Sequence, residues 1–205
     1  MPQIRITTPR LTKRRLFAVK STSENVFFIG ATRRDWTVFA MGYKHAADTV
    51  VKGLRAGHEP ITEAVCLPAL FLYRQFVELS LKGMLLDAGE LLYLDDQPPG
   101  IHPLVPLWIN LRKRINQIEA VDAEEWMDRA EELIRELDAL DSSSYAFRYP
   151  VNKKGVPNLP MLKVDIAHVR SVMNEFEMVL SGIADWLSNY VDIQRDMEHD
   201  FGYGY

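Results

Sequence analysis

Residues 61–88 read ITEAVCLPALFLYRQFVELSLKGMLLDA, and this stretch decides the fold. Apolar residues occupy nearly every side of a helical wheel drawn through it, a pattern that belongs at the centre of a bundle rather than on its surface. Pro68 is expected either to start the main helix or to kink an earlier turn. Between Glu63 and Asp87 near its ends, the middle of the stretch is broken by Arg74, Glu78 and Lys82, which are spaced four apart, stack along one helical face and can pair in series. Phe71, Leu72, Phe76, Val77, Leu79, Leu81, Met84 and Leu85 surround them, so the stripe is expected to be at least partly buried. The same three charges interrupt the apolar run before it could span a bilayer, and no membrane partner is expected.

Outward from this core, Pro and Gly punctuate a series of helical periodicities. Thr32 and Asp35 resemble a capping box, followed by Trp36, Phe39, Tyr43, Ala46, Ala47, Val50, Val51 and Leu54 at helical spacing until Gly57. After a loop over 95–100, His102-Pro103 opens a third helix through Leu104, Leu107, Trp108, Leu111, Ile115 and Ile118. Asp122 and Glu125 cap a fourth, carrying Trp126, Ala130, Leu133, Ile134, Leu137 and Leu140 with a strongly acidic outer face. Residues 141–160 change texture, with three serines, FRYP, NKKG and two further prolines, and are expected to form an ordered loop or a short β-hairpin. A last helix runs from about Asp165 to Ile193, before the tail Phe201-Gly-Tyr-Gly-Tyr205. The fold class is therefore all-α: a bundle of about five helices over residues 31–205, preceded by a basic N-terminal arm over 1–30. No internal repeat is present.

Composition removes several function classes. The 205 residues are 47% hydrophobic and 25% charged with a net charge of −4, enough to bury one sizeable core. A single cysteine, Cys66, excludes a disulfide framework, a cysteine zinc site and a CxxC redox pair. His45, His58 and His168 have no metal-ligand partner at helical spacing, and neither a Gly-rich phosphate loop nor a nucleophile elbow occurs, so no metal and no cofactor is expected. The N-terminus MPQIRITTPR lacks the apolar stretch of a signal peptide, and a cytoplasmic location is expected. The arm carries Arg5, Arg10, Lys13, Arg14, Arg15 and Lys20 without an acidic residue up to position 23; such a tail can meet phosphate or an acidic partner, but a solvated tail is the commoner outcome.

Buried charges persist only when paired and hydrogen-bonded. Other polar groups should therefore converge on the 74/78/82 stripe, and His102, Asp141 and Arg148 are the candidates. Two readings stay open: a salt-bridge lattice pinning the 141–160 loop to the bundle, or a ligand or phosphate site.

The run Leu72-Tyr73-Arg74-Gln75-Phe76-Val77-Glu78-Leu79-Ser80-Leu81-Lys82, followed by His102-Pro103-Leu104-Val105-Pro106-Leu107-Trp108, resembles the HEPN superfamily. Gly42, Tyr43, Ala46, Ala47 and Asp48 upstream, and Phe147-Arg148-Tyr149-Pro150 downstream, extend the resemblance over about residues 36–190. It implies a helical bundle, often dimeric, of the kind that supplies metal-independent ribonucleases to toxin–antitoxin, phage-defence and CRISPR-linked systems. RNA, a second copy or a partner protein of such a system would be its partners. The family's Arg-polar…His signature has a shortened counterpart in Arg195-Asp196-Met197-Glu198-His199, where Arg195 would hold phosphate and His199 would move a proton. Glu198 and Asp200 flank that pair and would repel RNA. The resemblance also implies an alternative site, with His102 as proton carrier, Arg74, Lys82 or Arg148 on phosphate and Glu78 holding the cations in place. A function of different class competes with both: a non-catalytic helical interaction or scaffolding module, suggested by the negative net charge and the aromatic-rich helices.

Overall fold

A computed structural model of the chain describes residues 36–54, 60–95, 97–119 and 124–202. The basic arm, Thr32, Asp35, His58, Asp122 and residues 203–205 lie outside them. Among the described residues there are five helices and no strand: α1 (Trp36–Gly53), α2 (Pro60–Leu91), α3 (Leu104–Ile118), α4 (Glu124–Leu140) and α5 (Ile166–Gly202). The all-α bundle read from the sequence is the fold.

Helix α2 is the axis. It packs against α1, α3 and α5, while α4 rests on α3 and α5. Ala69, Val77, Leu81 and Ala88 of α2 expose no surface, which is what an apolar residue on every side of a helix requires. The helix runs through Pro68 as one element of 32 residues, losing one backbone donor without stopping. By length and composition the stretch Glu63–Leu91 is long and apolar enough to cross a membrane, contrary to the expectation that its charges break it too early, and 44% is buried inside the bundle.

Helix starts are held by carboxylates, one distant in the chain and one local. The backbone N–H of Leu104, in the first turn of α3, donates to Asp138 Oδ1 of α4 at 2.7 Å, placing a carboxylate at the positive end of the helix dipole. Asp165 caps α5 by accepting from the N–H groups of Ala167 and His168 at 3.0 and 3.1 Å. Trp108 is fully buried and donates its indole N–H to Glu131 of α4 at 3.2 Å. Helix α5 continues to Gly202, beyond the expected end near Ile193. Nothing in 194–200 breaks a helix, and Arg195 reaches back to Glu90 of α2 to dock that end.

The segment 141–160 is an ordered loop. It contains one isolated antiparallel bridge, Val151 to Pro157, closed by Asn152 N–H donating to Val156 O at 2.8 Å and by Gly155 at φ +75°.

At the α1–α2 contact, a Cβ added at Gly83 would sit 2.8 Å from Trp36 Cβ. Ala gains up to about 1 kcal/mol of helix propensity over Gly, whereas overpacking of this kind costs about 1–3 kcal/mol. Gly83→Ala is therefore expected to lower the midpoint of thermal unfolding, followed by circular dichroism; an unchanged or raised midpoint would show that α1 and α2 do not meet so closely.

Candidate functional site

The charged stripe of α2 turns inward, and two of its three expected partners converge on it. Arg74 is completely buried. Its Nε donates to Asp141 O at 2.6 Å, one terminal nitrogen to Glu78 Oε2 at 2.6 Å, and the other to His102 O at 2.7 Å and Ser142 O at 3.4 Å. Glu78 is equally enclosed: its Oε1 accepts from Lys82 Nζ at 2.8 Å and lies 3.0 Å from His102 Nδ1. Burial pushes the Glu78 carboxyl up, but hydrogen bonds from Lys82, Arg74 and His102 outweigh it and hold the group below its ordinary value. Lys82 is 8% exposed, whereas the His102 ring is 58% exposed, so the network opens to solvent at the imidazole.

Asp141 joins chiefly through its backbone, its carboxylate lying 3.9 Å from Arg74 Nε. That carboxylate accepts from the N–H groups of Tyr145 and Ala146 at 2.6 and 2.8 Å, which closes the first turn of the loop. Ser144 sits in the left-handed region at φ +59° and receives Gln75 Nε2 of α2 at 2.7 Å on its hydroxyl. Arg148 does not reach the stripe. Its Nε donates to Ser144 O at 2.5 Å and its guanidinium lies over the rings of Phe71 and Tyr149, so it belongs to the outer surface of the loop.

Arg195 and His199 both lie toward the end of α5, each beside a carboxylate. Arg195 grips the Glu90 carboxylate with Nε and a terminal nitrogen at 2.6 and 2.7 Å. His199 lies on the exposed end of α5, its Nδ1 3.9 Å from Asp200.

Two clusters escaped the sequence reading. On α1, Lys44 lies on the same buried face as Ala40, Ala47 and Val51. It donates to Asp48 Oδ2 at 2.9 Å and Asn174 Oδ1 at 2.7 Å and pairs with Glu177 at 2.9 Å. Tyr73 donates its hydroxyl to Asp48 Oδ1 at 2.7 Å, and burial with that bond raises the phenol well above its ordinary value. No local pattern marks Lys44 as the buried side of α1, since the exposed side also carries apolar Val38 and Phe39. The second cluster is a cleft of about 710 Å³ between the C-terminal halves of α2 and α5, where Asp87, Glu90, Asp185 and Glu198 face Arg195. Burial pushes the Asp87 carboxyl up to about 6, Glu90 and Asp192 add to the rise, and Arg195 offsets part of it. Among the described residues, no three His, Cys, Asp or Glu side chains are grouped to hold a metal ion.

Two outcomes test this description. Removing the guanidinium in Arg74→Ala leaves Glu78 Oε2 and the carbonyls of 102 and 141 without their donor, and is expected to cost about 3–5 kcal/mol in chemical denaturation at neutral pH. Because Glu78 is depressed in the folded state, its contribution is present above the ordinary value of 4.5 and is lost as pH falls through the lower folded value. Wild type should therefore lose part of its margin over Arg74→Ala in acid, and an equal margin at both pH values would contradict the network. Asp87 has the opposite sign: its folded-state value is raised, so stability falls as pH rises from 3.8 to about 6. Asp87→Asn is expected to melt higher than wild type at pH 7 and with no gain below 3.8. A scan against protein-family models, a search of curated proteins and a search of solved structures each returned no match to this chain.

Proposed function

We propose that this chain is a HEPN-like helical protein of a prokaryotic defence or toxin–antitoxin system, cytoplasmic, that works by binding a partner protein rather than by cutting RNA. The stretches that carry the HEPN resemblance all attach to α2: Asp48 through Tyr73, the 74/78/82 stripe within it, His102 on Glu78, and the loop before FRYP through Gln75 and Ser144. The observation that favours binding over catalysis is the closure of the cations. Arg74 is 0% exposed with its nitrogens directed at protein acceptors, and Lys82 is 8% exposed on Glu78. A phosphate needs cations it can reach, and these two are enclosed.

One feature favours the second reading, a metal-independent ribonuclease. The His102 ring is held at Nδ1 by the Glu78 carboxylate while most of it faces solvent. A carboxylate-oriented imidazole of this kind can take a proton from a ribose 2′-hydroxyl and return it to a leaving oxygen. The two readings separate in one assay: single-stranded RNA incubated with purified protein in excess EDTA. Binding alone predicts no cleavage beyond that of His102→Ala; cleavage by wild type that His102→Ala loses, with the melting curve unchanged, would replace the proposal by the ribonuclease.

A further inference from the structure

The face of α5 turned away from α2 is apolar and largely uncovered. Val179, Gly182, Trp186, Tyr190, Ile193 and Met197 recur at intervals of three and four, which places them on one side of the helix. Tyr190, Ile193 and Met197 are 38%, 57% and 57% exposed, and the adjoining Met178 is 70% exposed. Two concavities lie along this face, of about 600 and about 910 Å³. The first is walled by Ile115 of α3 and by Trp126 and Met127 of α4; the second by Leu91 at the end of α2, by Leu92 and by Ile118 of α3. Trp186 lines one and Tyr190 the other, and their rings lie 5.1 Å apart at the junction. The trough runs from Glu175 to Glu198 along α5, about 35 Å at the helical rise.

Its shape and its charge specify the occupant. Gly182 leaves the floor open, since nothing lies within 4 Å of a Cβ placed there. Thioethers at Met127, Met178 and Met197 give a polarizable lining that adapts to different apolar side chains. Acidic groups stand along the trough: Glu175 at one end, Glu198 at the other, and Glu119 beside the junction, where it accepts from the Tyr190 hydroxyl at 2.8 Å. Helix α4, which forms one wall, carries seven acidic residues and two arginines. Among the described residues, neither concavity is lined by a Lys or an Arg.

We infer that this trough is the docking site for an amphipathic helix of a partner protein, its apolar face on Trp126, Trp186 and Met178 and its flanks basic. The inference rests on the binding role proposed above and assigns that role a surface. A second copy of this chain is a poorer occupant, because it would bring the same acidic rim against itself.

The probe is a fluorescein-labelled helical peptide of about 21 residues built from Leu and Lys, compared with a Leu and Glu peptide of the same apolar pattern, titrated by fluorescence anisotropy. Wild type is expected to bind the Lys peptide at least about tenfold more tightly than the Glu peptide. Met178→Lys and Ile193→Lys, both at exposed positions, should each weaken it by about tenfold or more with unchanged melting. Lys153→Gln, at an exposed position of the loop after α4 and away from both concavities, should change it by less than about twofold. Equal binding by wild type and both trough variants overturns the inference. So does a wild-type dimer in light scattering that Met178→Lys converts to monomer, since the second copy would then be the occupant. RNA cleavage lost in His102→Ala, alongside intact peptide binding, would remove the proposed function and leave the docking site standing.

Discussion

Arg74 sets the terms for everything around it. A guanidinium with no exposed surface is tolerated only if its donors find acceptors inside the protein, because the desolvation of an unpaired ion exceeds what packing returns. One carboxylate, on the same helix, supplies charge balance; three carbonyls, from residues 102, 141 and 142, supply the rest. Those carbonyls come from two connections far apart in sequence, so satisfying one side chain brings the approach to α3 and the exit from α4 onto α2. The cap on Leu104 by Asp138 then follows from the same convergence, since both residues neighbour segments already held at Arg74.

Much of this architecture was legible. An all-round apolar helix has only one place in a bundle, and charges at a spacing of four within it must find partners, so the inward network with His102 and Asp141 could be anticipated from residue types alone. Arg148 was misplaced because sequence shows that a cation is near a loop but not which way the loop turns: Ser144 in the left-handed region sends Arg148 over Phe71 instead. Lys44 was missed for a related reason. A lysine on an amphipathic helix reads as solvent-facing, and only the tertiary neighbours Asn174 and Glu177 reveal it as buried. The raised carboxyl of Asp87 depends on two helices meeting at their C-terminal halves, which no local pattern encodes.

Polar and apolar surfaces are sharply divided between functions in this molecule. The strongest cations sit where they hold connections in place, and the acids that remain dominate the outer faces of α4 and the end of α5. Exposed Met and aromatic side chains collect along the remaining side of α5, next to those acids. A surface of that kind suits recognition of a complementary helix better than it suits a polyanion, which the surrounding carboxylates repel.

The acceptors around Arg74 have one further property. Three of the four belong to the main chain, which every residue type except in its side chain presents identically. Substitutions at position 142 therefore leave the arginine's environment intact so long as the loop keeps its path, whereas Glu78 has no such freedom.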